Sequence, residues 1–174
     1  MKITVFGSGT IDENSEEFKL AEKFGEEVAR NGWEIYNGGY YGVMLAVSRG
    51  AANFGGKTTG IIWEGYDRTP NKYLTSTIVA ADYFERLKML IEAGDVYVIF
   101  PGGSGTLMEL AAVWALSERN LLTHKLIITI GEQWRELIQL VSFYNEISYE
   151  SGLTIINISD PLEAIELIKD YNLG

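Results

Sequence analysis

Residues 96–109 constrain this chain more than any other stretch. Val96 to Phe100 is an unbroken apolar run, the pattern of a strand buried on both faces. Pro101-Gly102-Gly103-Ser104-Gly105-Thr106 follows, and Leu107 to Glu118 reads as a helix. Three glycines between strand and helix let the backbone turn sharply and approach a ligand, while the first helical N–H groups lack intrahelical partners. Such a junction is suited to holding an anion. Glu109 puts a carboxylate within the first turn and a half, on one face with Thr106 three residues earlier. A surface glutamate favoured by the positive helix end is the other explanation.

The rest of the chain repeats the strand-glycine-helix theme. Ile3 to Phe6 runs through Gly7-Ser8-Gly9-Thr10 into a helix from Asn14 to Asn31, closed by Asn31-Gly32. Trp33 to Tyr36 runs through Asn37-Gly38-Gly39-Tyr40-Tyr41-Gly42-Val43-Met44 into a helix carrying Leu45, Val47, Ala51 and Ala52. Lys57 to Trp63 and Thr77 to Ala80 are strands on either side of a polar loop, Glu64 to Thr75. Tyr66 and Tyr73 in that loop either line a base pocket or are plain exposed tyrosines. A helix from Asp82 to Ala93 follows, with Asp82 as N-cap and Phe84, Leu87, Leu90 and Ile91 on its buried side. Arg86 and Met89 share another face, and from periodicity alone Glu85-Arg86 reads as a solvated pair.

Beyond the central motif, Leu107, Leu110, Ala111 and Trp114 form an apolar stripe. Leu126 to Ile130 and Thr154 to Ile158 are strands, separated by a helix from Gln133 to Phe143 and a polar connection from Tyr144 to Gly152. Asp160-Pro161 starts a terminal helix reaching about Asp170. Strict alternation of this kind implies right-handed crossovers and a covered parallel sheet. The expected architecture is a single doubly wound Rossmann-like α/β domain over residues 1–174, with about seven parallel strands and helices on both faces. Ligands in such a sheet bind at the carboxyl ends of the strands, where all the glycine junctions fall.

Charge narrows the partners. The chain has 24 acidic and 14 basic residues, a formal net charge of −10, so its long-range field opposes sequence-blind binding to nucleic acid or to anionic membranes. A small phosphate held by local backbone dipoles and one or two arginines is compatible with that charge. Cysteine is absent and histidine occurs once, at His124, so disulfides, thiolate catalysis and a His- or Cys-based metal site are not expected. No apolar stretch is long enough to span a bilayer and no secretory leader opens the chain, so a cytoplasmic protein is expected.

Pro101-Gly102-Gly103-Ser104-Gly105-Thr106-Leu107-Met108-Glu109 matches the pattern Pro-Gly-Gly-x-Gly-Thr-x-x-Glu, and the chain thereby resembles the LOG (Lonely Guy) family. That family comprises cytokinin riboside 5′-monophosphate phosphoribohydrolases, formerly called lysine decarboxylases. Gly38-Gly39-Tyr40-Tyr41-Gly42-Val43-Met44 is similar to its Gly-Gly-Gly-x-x-Gly-Leu-Met segment, and Glu85-Arg86 with Met89 to its Glu-Arg-Lys helix. Trp114, His124 and Lys125 also fall where similar residues occur. Asn37, Leu87 and Met108 depart from the family, standing where a glycine, a lysine and a glutamate are usual. The wider nucleotide-binding superfamily includes DNA-processing protein A and molybdenum-cofactor carriers.

The resemblance implies cleavage of the N-glycosidic bond of a nucleoside 5′-monophosphate, such as AMP or an N6-modified AMP, with no metal or organic cofactor. It implies Glu109 and Arg86 as catalytic residues. Substrate would be held by Ser8, Gly9, Gly38, Gly39, Gly42, Met89, Pro101, Gly102, Gly103, Ser104, Gly105 and Thr106. It also implies a homodimer. The alternative is a non-catalytic nucleotide or phosphorylated-cofactor carrier or sensor using the same pocket. Lysine decarboxylation would need a Schiff-base lysine, and none is singled out.

Overall fold

The computed structural model describes residues 1–65, 67–122, 125–144 and 155–173. Its centre is one all-parallel sheet in the order β4-β3-β2-β1-β5-β6-β7. The strands are β1 (Lys2–Phe6), β2 (Glu34–Asn37), β3 (Thr58–Trp63), β4 (Ser76–Ala80), β5 (Val96–Ile99), β6 (Leu126–Ile130) and β7 (Ile155–Ile158). Helices α1 (Glu16–Arg30), α2 (Val43–Asn53), α3 (Tyr83–Ala93), α4 (Ser104–Glu118), α5 (Glu132–Tyr144) and α6 (Glu163–Leu173) alternate with them. The doubly wound Rossmann-like expectation and its seven strands are therefore met. Among the described residues no helix is long and apolar enough to cross a membrane.

Each strand's alternation splits the core into two layers. Val96 and Val98 point to the side covered by α1, α2 and α6, where Phe18, Phe24, Val47 and Ile168 pack. Tyr97 and Ile99 point to the other side, against Leu90 of α3, Leu110 and Val113 of α4 and Trp134 of α5. Both faces being apolar explains why β5 reads as a continuous run rather than an alternating one.

The chain winds outward from β1 through β2, β3 and β4, then returns to place β5 on the opposite side of β1. The carboxyl ends of β1 and β5 therefore form the topological switch point, where an open parallel sheet leaves a crevice. Phe100 N–H donates to Phe6 O at 2.9 Å and Ser8 N–H to Pro101 O at 3.0 Å, fastening the two loops side by side.

Several element details differ from expectation. Helix α4 begins at Ser104 rather than Leu107, because Leu107 N–H already bonds back to Gly103 O. Phe84, expected on the buried side of α3, is 71% exposed, while Arg86 is buried. Leu107 and Ala111 of the expected stripe are likewise exposed, and the covered face of α4 runs through Thr106, Glu109, Leu110, Val113 and Trp114. Asp160 accepts from Leu162 N–H, but Pro161 and Leu162 form a turn, and the regular helix starts at Glu163 and continues past Asp170. Tyr66, His124 and most of the 144–152 connection lie outside the described residues, as does Thr154.

Candidate active site

The loops after β1, β2, β3 and β5 and the starts of α2, α3 and α4 surround a cavity of about 500 Å³ at the switch point. Its floor is the end of β1, and one wall is the start of α4. There Gly103 is the N-cap, with no side-chain cap bond and no acidic residue in the first turn. The N–H groups of Ser104, Gly105 and Thr106 precede the first i to i−4 bond and so have no intrahelical partner. A Cβ placed on Gly103 or Gly105 would meet nothing within 4 Å, so these residues leave open space beside those donors. Gly102 differs: its N–H and C=O bond the side chain of Gln133 on α5, at 3.3 and 2.7 Å. Its role is to hold the loop, and a Cβ there would strike Thr106 Oγ1.

The opposing loop follows β1. Thr10 N–H donates to Ser8 Oγ, and the two hydroxyls lie 3.2 Å apart, folding Ser8-Gly9-Thr10 into a tight turn at the cavity edge. Ser8 O accepts from Val43 N–H at 2.9 Å, which pins the start of α2 under this turn. Gly42 makes that junction possible. Its φ is +63°, and a Cβ would come within 2.2 Å of Ser8 O.

The loop after β2 is fixed from beneath by Asn37. Its buried amide donates to Met44 O at 3.3 Å and Ser48 Oγ at 3.1 Å, and its Oδ1 accepts from Gly39 N–H at 2.8 Å. The departure from the family at this position thus ties the glycine loop to α2. From above, Asn71 N–H and amide bind the carbonyls of Gly39 and Tyr40. This strap folds the loop after β3 over the site and brings Arg68 to the cavity rim.

Arg86 projects from the first turn of α3, whose start is held by Asp82 accepting from Phe84 and Glu85 N–H groups. Glu85 completes the cap by accepting from Ala81 N–H, and so is not Arg86's partner. Arg86 is only 7% exposed. Its Nε donates to Ile61 O at 2.7 Å and its Nη2 to Gly38 O at 3.1 Å, and the guanidinium sits over Tyr40 with 5.8 Å to the ring centroid. Gly38 admits it: a Cβ there would lie 1.9 Å from Nη2.

Glu109 faces the same cavity and is 9% exposed. Burial pushes its pKa from 4.5 up to about 7, and the positive charge of Arg86 pulls the other way without cancelling that rise. A carboxylate poised near neutrality inside a cleft is suited to accepting a proton or facing developing positive charge. Tyr83 is pushed up chiefly by burial, next by Glu109, with Arg86 opposing, so it shares their electrostatic environment.

Of the residues expected from sequence, Ser8, Gly9, Gly38, Arg86, Gly103, Ser104, Gly105, Thr106 and Glu109 all border one cavity. Gly39, Gly42, Pro101 and Gly102 stand behind its wall as backbone supports, and Met89 packs against the core layer beneath α3. Tyr73 packs against the other core layer rather than the cavity, and Lys125 reaches Tyr97 Oη and Ile91 O. Trp63, Tyr83, Tyr40 and Arg68 border the cavity without having been singled out. Trp63 ends an apolar strand and Tyr83 opens a helix, so only the position after Asp82 carried a local signal.

A helix start with free N–H groups, a buried Glu on the same helix and a buried Arg from α3, all lining one cavity at a parallel-sheet switch point, define a Rossmann-like protein with a crevice suited to an anionic ligand. The chain belongs to the SLOG cluster4 family, whose model matches residues 1–160, and the resemblance to LOG proteins is thereby borne out. It is similar to the cytokinin riboside 5′-monophosphate phosphoribohydrolase of Mycobacterium tuberculosis, 27% identical over 97% of this chain and 94% of that one. Among solved structures it is similar to the molybdenum cofactor binding protein of Rippkaea orientalis, with 26% identity and a TM-score of 0.76 over 98% and 96% of the two chains. DNA processing protein A of Helicobacter pylori, at 16% identity, shares the fold with a TM-score of 0.62 over 98% of this chain and 81% of that one.

Proposed function

We propose that the chain hydrolyses the N-glycosidic bond of a nucleoside 5′-monophosphate, releasing free base and ribose 5-phosphate. The observation that carries this is Glu109: a buried carboxylate with its pKa near 7, in one cavity with an uncapped glycine-rich helix start and a fixed arginine. The 5′-phosphate sits on the N–H groups of Ser104, Gly105 and Thr106, favoured by the helix dipole. Two of Arg86's five N–H groups are used on Gly38 and Ile61, and the others are kept for the ligand. As the C1′–N bond breaks, its electron pair leaves with the base and positive charge spreads over the ribose ring. Ionised Glu109 stabilises that charge and takes a proton from the water whose oxygen bonds C1′. The departing base takes a proton from solvent and Glu109 returns the water's proton to solvent, so the net change is addition of one water and no metal or organic cofactor enters the balance.

The named relatives support this reading, as does retention of the whole Pro101–Glu109 motif. Similarity to a molybdenum cofactor binding protein supports the second reading, a carrier that holds a phosphorylated ligand in the same crevice. Incubation with AMP and with N6-isopentenyl-AMP, followed by chromatography for free base and ribose 5-phosphate, separates the two. Release of base establishes the hydrolase. Tight binding without release of base from either establishes the carrier.

We also take the active form to be a homodimer. An apolar groove of about 230 Å³ between α4 and α5, bordered by Leu107, Ala111, Trp114 and Val141, supports this, as do the exposed Leu107 and Met108 beside it. Light scattering on the purified chain measures the mass directly.

A further inference from the structure

The cavity changes character along its length. At the β5 and β1 end it is lined by main-chain N–H groups and hydroxyls. At the β3 end it is lined by Trp63 and Tyr83. These half-buried rings meet edge to face, with centroids 6.1 Å apart and planes at 80°. Trp63 is the last residue of β3 and Tyr83 the first of α3, so the pair stands where two regular elements meet. The indole is also backed by main chain: a Cβ on Gly65 would lie 2.3 Å from its ring. Its orientation is therefore set from one side by Gly65 and from another by Tyr83.

Sheet order places this corner three strands from the α4 cradle, roughly 14 Å at about 4.8 Å per strand. A ligand anchored by phosphate at one end and spanning the cavity must present its far end to aromatic carbon. Ribose and phosphate offer no π-face, whereas a heteroaromatic base does.

We infer that Trp63 and Tyr83 form the base-recognising wall of the site and select purine over pyrimidine nucleotides by stacked area. This rests on the nucleotide reading above and sharpens it, assigning the preference to ring size rather than to hydrogen-bonded readout of the base edge.

The test is calorimetric titration of the full-length Glu109→Gln chain with AMP, UMP and ribose 5-phosphate, with and without Trp63→Leu. AMP binds more tightly than UMP. Trp63→Leu weakens AMP roughly tenfold to a hundredfold and changes ribose 5-phosphate by less than about twofold. Trp63→Phe keeps an aromatic face and recovers most of the AMP affinity. If AMP is unaffected, or ribose 5-phosphate weakens equally, the wall is overturned. Tyr83→Leu carries the same comparison on a different element if Trp63→Leu does not fold. Turnover of the chain with Glu109 intact is scored separately. Trp63-dependent AMP binding without hydrolysis would overturn the enzyme and leave the wall. Hydrolysis with Trp63-independent binding would do the reverse.

Discussion

Arg86 and Gly38 are matched: the guanidinium occupies the space a side chain at 38 would need, and it donates to that residue's carbonyl at 3.1 Å. The glycine loop after β2 is thus a socket for the arginine as well as a wall of the crevice. Gly38→Ala should expel Arg86 from its seat and leave the Ile61 and Gly38 carbonyls without their donor. Expected are a loss of stability of about 1–3 kcal/mol and a drop in AMP affinity. Chemical denaturation and titration with AMP measure both, and an unchanged affinity would show that the seat does not matter.

Arg86→Ala should weaken both nucleotide binding and turnover, since it removes the buried positive charge facing Glu109. Arg86→Lys should recover little, because one ammonium cannot reproduce a planar fork directed at two carbonyls. Steady-state kinetics on AMP are the check, and normal kinetics in the alanine variant would remove Arg86 from the site.

Glu109→Gln should abolish hydrolysis while leaving AMP binding largely intact. With Glu109 present, activity should fall on the acid side with an inflection near pH 7, where protonation removes the carboxylate's charge. The phosphate of AMP itself titrates near 6, so AMP affinity is followed in parallel. A flat profile between pH 5.5 and pH 8, or near-normal turnover in the glutamine variant, would refute the assignment.

The same carboxylate has a signature in stability. Between its ordinary value of 4.5 and its folded value of about 7, the folded chain holds a proton that the unfolded chain has lost. Stability therefore falls as pH rises through that window and pays no further cost above it. The penalty is on the order of 3 kcal/mol at about 1.4 kcal/mol per unit. Glu109→Gln should melt higher than the parent chain at pH 8 and match it near pH 4.5. Equal melting temperatures at pH 8 would show that burial does not strain the carboxylate.

Asn37→Ala should cost about 1–3 kcal/mol, because it leaves Gly39 N–H buried and unpaired and frees the loop from α2. Its effect on turnover should follow from stability, vanishing when the assay is run well below the melting temperature. A large loss of turnover at full folding would instead place Asn37 in contact with substrate.

Much of this molecule was determined locally. Apolar runs such as Val96–Ile99, separated by glycine junctions and periodic helices, specify a parallel sheet because both its faces must be covered. The anion cradle is local too, since a glycine N-cap and the three N–H groups after it are contiguous residues. Glu109 lies a turn and a half further along the same helix, so its place beside the cradle follows from helical geometry.

What the tertiary structure decided is everything that depends on a partner from another strand. Periodicity along α3 favoured Phe84 inside and Arg86 in solvent, and the opposite occurs. Arg86 is buried because the carbonyls of Ile61 and Gly38, 25 and 48 residues away, receive its N–H groups. Phe84 is exposed because no described element covers that side of the helix start. The aromatic corner of Trp63 and Tyr83 likewise exists only where the end of β3 meets the start of α3. A residue's own neighbours in the chain record its type and phase, but burial and charge are set by what the fold lays against it.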